Sequence, residues 1–190
     1  MSLLDKAIQF ATKAHAGQKR KGKDVPYITH PLSALVVASS ITTDDEVLSA
    51  VVLHDTVEDT PVTAEQLCNE FGERVAKLVL SDSEDKMEHI SAEDSWQTRK
   101  QVTIDEVRKQ SFDEQVVCLA DKLANIREMA QDYAVLGDKL FDRFNQKDKS
   151  KHAWYYRSIG ENLHHLKGTY ALDEYARRLK EVFGDEGSLS

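Results

Sequence analysis

Residues that punctuate turns are scarce in this chain: 190 residues include eight glycines and three prolines. A fold built from many tight β-turns needs more of both, so the scarcity points away from an all-β architecture. Cysteine is nearly missing. Cys68 and Cys118 lie far apart in apolar helical patterns, and both are expected to be buried thiols in a reducing cytoplasm rather than a disulfide or a zinc site. No apolar run approaches the roughly 20 residues of a membrane span. The N-terminal stretch MSLLDKAIQFATKAH is amphipathic and has no basic flank before a hydrophobic segment, so no secretory leader is expected. Net positive charge is lacking as well. A formal charge of -8 argues against nonspecific binding to long nucleic acids. These absences lead to the expectation of a cytoplasmic protein with no nucleic-acid or membrane partner; its oligomeric partner, if any, is not legible. No internal repeat and no low-complexity tract is found.

Helical periodicity is what the chain does have. Apolar residues recur at three- and four-residue spacing, as in Leu3, Leu4, Ala7, Ile8, Ala11 and Ala14 of a first helix. Gly17, Gly22 and Pro26 mark a loop over 16–29. A second helix is predicted from about Pro31 to Ser40, with His30 at its N-terminal edge. Thr43 to Glu46 reads as a capping box for a third helix that carries His54 and Asp55 and ends before Pro61. Thr63 to Gln66 reads as another box, opening a short helix that stops at Phe71-Gly72. Helices follow over about 73–80, 95–109, 112–130, 153–166 and 172–183, with a short amphipathic piece (Leu140, Phe141, Phe144) in the polar run 137–151. Val116 to Leu119 is the best strand candidate, but the helical pattern runs through it. Residues 81–95 are rich in Asp and Glu and are expected to form a mobile loop. The fold class is all-α: a single-domain bundle of about 8–10 helices over 1–190. Its core covers about 3–170, a C-terminal helix about 171–184, and a frayed tail 185–190.

The most informative stretch is Leu53-His-Asp-Thr-Val-Glu-Asp59. It follows an apolar run that looks like a buried helix, where charged side chains are costly unless something compensates them. A metal ion is the simplest compensation. With His30 and Asp121 the stretch can supply two imidazoles and two carboxylates, His30, His54, Asp55 and Asp121. That mixed nitrogen and oxygen set suits manganese, iron or zinc better than calcium. Helical spacing stacks Glu58 one turn after His54, and Asp59 one turn after Asp55. Either can orient or deprotonate water, or pass a proton to a leaving oxygen. The pattern therefore points to a metal-dependent hydrolase. Bland readings stand beside it. A His-Asp pair alone is a weak signal, His30 before a proline can cap a helix, and Asp121 can pair with Lys122 or Arg127. Asn125 is either a packing amide or a ribose contact.

The cluster Lys19-Arg20-Lys21-Gly22-Lys23 is a basic loop in an acidic protein. Arg20 can stack on a flat ring, and Lys21 can meet phosphate as a point charge, so a nucleotide suits it. Tyr27 is either core or the lip of the same pocket. Arg99 and Lys100 are a second candidate phosphate clamp, against a solvated face. Among Trp154, Tyr155, Tyr156 and Arg157, one tyrosine hydroxyl and the guanidinium can reach a ligand, against ordinary core packing. His15, His89, His152, His164 and His165 are read as structural or surface residues.

These motifs resemble a known family. Arg20-Lys-Gly, Pro26-Tyr-Ile-Thr-His30-Pro, His54-Asp-Thr-Val-Glu-Asp59-Thr, Phe71-Gly and Ala120-Asp-Lys-Leu-Ala-Asn125-Ile-Arg are similar, in order and spacing, to the hydrolase domain of RelA/SpoT-type alarmone enzymes. Those enzymes belong to the HD phosphohydrolase superfamily. The resemblance covers most of 5–170, and in length the chain is closer to stand-alone small alarmone hydrolases, metazoan members included. It implies one manganese ion held by His30, His54, Asp55 and Asp121, with Glu58 and Asp59 serving the attacking water. It further implies Arg20 and Lys21 at the guanine base, Asn125 near the ribose and Tyr155 at the nucleotide. The implied activity is removal of the 3′-pyrophosphate from ppGpp or pppGpp. Two departures stand out: the acidic character of 81–95, and Lys122-Leu123-Ala124 where the family often has a bulky third residue. The alternatives are a related phosphohydrolase acting on NADPH at its 2′-phosphate or on an adenine alarmone, and a non-catalytic nucleotide-binding regulator.

Overall fold

Ser2 opens the first helix, α1 (Leu3–Ala14), with a reciprocal capping box: its hydroxyl takes the Asp5 amide, and the Asp5 carboxylate takes the Ser2 amide. In the computed structural model the described residues are 1–83 and 95–185. Among them are ten α-helices and two 3-10 segments, with no strand; an isolated bridge joins Lys19 to Pro26. The protein is all-α, as the periodicity requires. None of the described helices is long and apolar enough to cross a membrane. Contacts gather the chain into two compact units, one of Met1–Ser83 with Gln110–Ala124 and the other of Glu84–Lys109 with Asn125–Ser190.

In the first unit, α3 (Asp45–Leu53) is the central element. Every residue from Val47 to Leu53 is buried, and α1, α2 (Thr29–Ala38) and α6 (Glu73–Asp82) pack on it. Fully burying each such Val or Leu contributes about 1.5–3 kcal/mol, enough to hold the short helix in place without strong propensity. Ala7 and Ala11 are fully buried on α1; small side chains let the α1 backbone come close to α3. The α3 cap differs from the expected box. Asp44, not Thr43, is the N-cap and accepts from the amides of Glu46 and Val47. Thr63 does cap α5 (Ala64–Phe71), taking the Gln66 amide. Gly72, at φ 93°, joins α5 to α6 in a conformation that a side chain would strain.

Other boundaries move too. The predicted helix through His54 and Asp55 to Pro61 is broken in two: α3 ends at Leu53, and α4 (Thr56–Asp59) restarts after the His54-Asp55 turn. Side chains satisfy carbonyls there: the Thr56 hydroxyl donates to Leu53 O at 2.7 Å, and the Thr60 hydroxyl donates to Thr56 O at 2.6 Å. Helix α8 (Phe112–Leu136) runs past the expected end near Ala130. It contributes residues 112–124 to the first unit and 125–136 to the second. Cys118 is buried as expected, but Cys68 is exposed; both are free.

In the second unit, α7 (Trp96–Val107) and α10 (Tyr170–Phe183) pack on α9 (Lys149–Asn162). The polar run after α8 forms a 3-10 segment, Gly137–Arg143, that buries Leu140 and Phe141. Gly160 of α9 lies close to α10: a Cβ there would lie 3.1 Å from the Tyr175 ring. The expected mobile loop at 81–95, with His89, falls largely on 84–94, outside the described residues, as does the tail 186–190. Of its flanks, Ser81 and Asp82 end α6, and Ser95 is buried as the N-cap of α7.

Candidate metal centre

His54 and Asp55 occupy the turn between α3 and α4, and His30 sits in the first turn of α2. Asp121 comes from the first-unit part of α8. His30, His54 and Asp121 are 4%, 3% and 6% exposed. Their donor atoms all lie within 4.8 Å of one another, a grouping able to hold a metal ion. His54 Nε2 is 3.1 Å from His30 Nε2, 3.1 Å from Asp55 Oδ2 and 3.4 Å from Asp121 Oδ1. His30 Nε2 is 2.9 Å from Asp121 Oδ1 and 3.5 Å from Asp55 Oδ2.

The donor set can be tested against a cation. His54 Nδ1 lies 2.7 Å from the Val51 carbonyl, which only accepts, so the ring hydrogen is assigned to Nδ1. In the neutral imidazole Nε2 then carries a lone pair, as a metal ligand must. That lone pair faces a second imidazole and two carboxylate oxygens. Four electron-rich groups gathered in a buried space repel one another unless positive charge lies among them. The residues therefore fit a divalent cation, and without a thiolate the mixed set suits a first-row metal.

The titration behaviour follows the same logic. Burial opposes charge on His54, but the Asp55 carboxylate and the Asp121 hydrogen bond outweigh it and raise its pKa well above the usual imidazole value. Burial pushes the Asp55 carboxyl upward, yet His54 and His30 hold it below the ordinary carboxylate range. Burial likewise opposes ionisation of Asp121, and Lys122 with the two histidines holds it well below that range. Lys122 pairs directly with Asp121 Oδ2 and lies 3.6 Å from Asp82 Oδ1. Burial raises the pKa of Asp82 even with Lys122 opposing it. Burial and the Asp82 carboxylate raise the Cys118 thiol, so it stays protonated.

The ion pair of Asp121 with Lys122 is present on Oδ2, while Oδ1 faces the two imidazoles and stays available as a candidate donor. Arg127 is not its partner; it forms a two-point pair with Glu174 at 2.8 and 2.6 Å. Tyr27, read from the sequence as core or lip, is half-buried. Its hydroxyl donates toward Asp55 Oδ2 at 2.7 Å and Asp59 Oδ2 at 3.0 Å. Asp59 is exposed and Glu58 half-buried on α4. In the basic loop, the Arg20 guanidinium lies 5.4 Å from the Tyr27 ring centroid. Lys21 is exposed at its tip.

Lys100, Asn125 and Tyr155 belong to the second unit. Asn125 follows Asp121 by one turn of α8 and is half-buried. Tyr155 is 4% exposed, with Trp96 and Tyr156 against its ring and the Lys100 ammonium 4.7 Å from its centroid. Arg157 is committed elsewhere: it donates to the Gly184 carbonyl at 3.0 Å, capping the end of α10. A groove of about 420 Å³ beside it is lined by Gly160, Leu172, Tyr175 and Leu179. It holds none of the residues with hydrolytic chemistry, and its walls are mainly apolar. Two residues around the centre escaped the sequence reading as functional groups, Asp82 and Lys122. Lys122, next to Asp121, was readable as its partner. Asp82 gave no signal, because only folding brings the end of α6 to α8.

An all-α chain with paired imidazoles and carboxylates at a helix break defines an HD-type phosphohydrolase architecture. The chain belongs to the HD domain family, which it matches over residues 7–146. Among its relatives is the Drosophila melanogaster protein named guanosine-3′,5′-bis(diphosphate) 3′-pyrophosphohydrolase MESH1. It is 31% identical over 96% of this chain and 93% of its own length. A probable GTP pyrophosphokinase of Mycobacterium leprae is 37% identical over 68% of this chain, which spans only 16% of that long protein. A solved structure of a metazoan ortholog of SpoT, described as hydrolysing ppGpp, superposes with a TM-score of 0.74 at 26% identity, covering 95% of this chain and 94% of that one.

Proposed function

We propose that this chain is a metal-dependent hydrolase that removes the 3′-pyrophosphate from ppGpp or pppGpp, giving GDP or GTP and pyrophosphate. The observation that supports this reading most is the convergence of His30, His54, Asp55 and Asp121 on one small space. The names of the Drosophila relative and of the metazoan SpoT ortholog point the same way. The chain 1–190 acts in this reading as one HD-type hydrolase domain in the cytoplasm, with a small nucleotide as its substrate.

The two histidines and two aspartates hold one divalent ion, manganese first and iron or zinc as alternatives. When bound, the ion polarises a phosphoryl oxygen and lowers the pKa of water. Glu58 and Asp59 orient the attacking water and take its proton, and one of them returns a proton to the departing 3′ oxygen. The bond from that oxygen to phosphorus breaks as the water oxygen joins phosphorus. Arg20 lies against the guanine ring and Lys21 meets phosphate. Asn125 contacts the ribose, and Tyr155 with Lys100 contacts the rest of the nucleotide.

Incubation of the purified protein with ppGpp and manganese tests the reading. Pyrophosphate release is expected, abolished by EDTA and restored by manganese. A panel with NADPH and adenine alarmones belongs in the same experiment, because Ala124 leaves a small side chain where the family often has a bulky one. Free phosphate from NADPH would move the substrate assignment. No turnover of any nucleotide by metal-loaded protein would defeat the hydrolase reading, and tight ppGpp binding without product would favour a silent regulator.

A further inference from the structure

Tyr27 touches both halves of the proposed machinery. Its hydroxyl lies 2.7 Å from Asp55 Oδ2, on a metal-site carboxylate, and 3.0 Å from Asp59 Oδ2, on a water-activating one. A phenol has a single hydrogen, so this one group is shared between the two acceptors. The ring is held in its turn. It stacks on His15 with centroids 4.7 Å apart and planes inclined by 25°. His15 is 3% exposed, and its Nδ1 lies 2.8 Å from Gln18 Oε1. The other end of that amide, Gln18 Nε2, donates to the backbone carbonyl of Asp59 at 2.8 Å. With Gln18 Nε2 as donor, Oε1 is the acceptor, which assigns the hydrogen of His15 to Nδ1. The segment after α1 therefore grips Asp59 twice, at its carbonyl through Gln18 and at its carboxylate through Tyr27.

We infer that Tyr27 is a positioning residue whose one hydroxyl aims Asp55 at the metal and Asp59 at the attacking water. The Asp59 half rests on the hydrolase reading; the Asp55 half needs only metal binding. Hydrogen-bond partners that orient metal ligands commonly set affinity by 10–100-fold, and Tyr27 is such a partner to Asp55, bonded to Oδ2, the oxygen that also faces the two imidazoles.

Tyr27→Phe removes the oxygen and keeps the stacked ring. Direct titration with manganese should show affinity falling about 10–100-fold. At saturating manganese, kcat for ppGpp should fall about tenfold or more while KM stays within about twofold. The metal-free melting temperature should stay within about 2 °C of the parent. In an Asp59→Asn background the same change should cost no further kcat. Affinity and kcat both equal to the parent's would overturn the inference. Lost affinity with full kcat at saturating metal would overturn its Asp59 half. A variant that fails to fold would assign the hydroxyl to the fold and overturn it as well. If the parent binds manganese but turns over no nucleotide, the hydrolase reading fails, and the affinity ratio alone decides the Asp55 half.

Discussion

Glu58 and Lys122 separate two kinds of residue around one centre. Glu58 is half-buried on α4 and is none of the four convergent donors. Glu58→Ala is expected to keep metal affinity and lose about 10²–10⁴ in kcat; a metal titration beside a rate assay checks both. Lys122 carries the counter-charge for two buried carboxylates, with side chains 12%, 9% and 4% exposed for Lys122, Asp121 and Asp82. Lys122→Met strands both, and breaking a buried pair in this way costs about 3–5 kcal/mol, so denaturant unfolding should show the midpoint fall sharply. The four candidate donors His30, His54, Asp55 and Asp121 were named from the sequence by residue type and motif order, and the structure brings these four side chains together. Tyr27 was half-legible: its motif placed it near the site, but only the folded structure ties its hydroxyl to both aspartates.

Helix ends hold the next level of stability. Arg74 of α6 joins the α3 cap Asp44, Glu46 and Asp113 of α8, at 2.5 to 3.2 Å. All four side chains are 36–41% exposed, so the network is screened by water. Asp44→Ala should still cost about 1 kcal/mol, chiefly through the lost helix cap, read as a lower melting temperature. In the second unit, Glu174 of α10 is paired with Arg127 of α8. The Arg127 hydrogen bond outweighs burial and holds the Glu174 carboxyl below its ordinary value. A depressed folded pKa contributes stability above the unfolded value, near 4.3, and loses it as pH falls through the folded one. Glu174→Gln should therefore lower the melting temperature by about 2–4 °C near neutral pH and by less near pH 3; an equal loss at both would refute the linkage. Element types followed from periodicity, but the break at His54-Asp55 did not. Both residues keep right-handed helical angles, and what divides α3 from α4 is carbonyls turned to Thr56 and His54 side chains.

For the whole molecule, a metal held by the proposed donors would link binding to folding, since they come from α2, the α3–α4 turn and α8. An unfolded chain cannot present that set, so manganese at about 100 times its Kd should stabilise by about 2.7 kcal/mol. The melting temperature should rise with manganese concentration and fall back with EDTA; a melt indifferent to both would speak against a metal centre. The amino-acid sequence by itself determined the helical class and named the candidate donors, because periodicity and side-chain chemistry are local properties. The tertiary structure alone decided that Asp121 turns one oxygen to the imidazoles and the other to Lys122, that Asp82 lies behind it, and that Tyr27 bridges Asp55 and Asp59. Those are distances between segments remote in sequence, and they exist only once packing on the buried α3 has set where each segment lies.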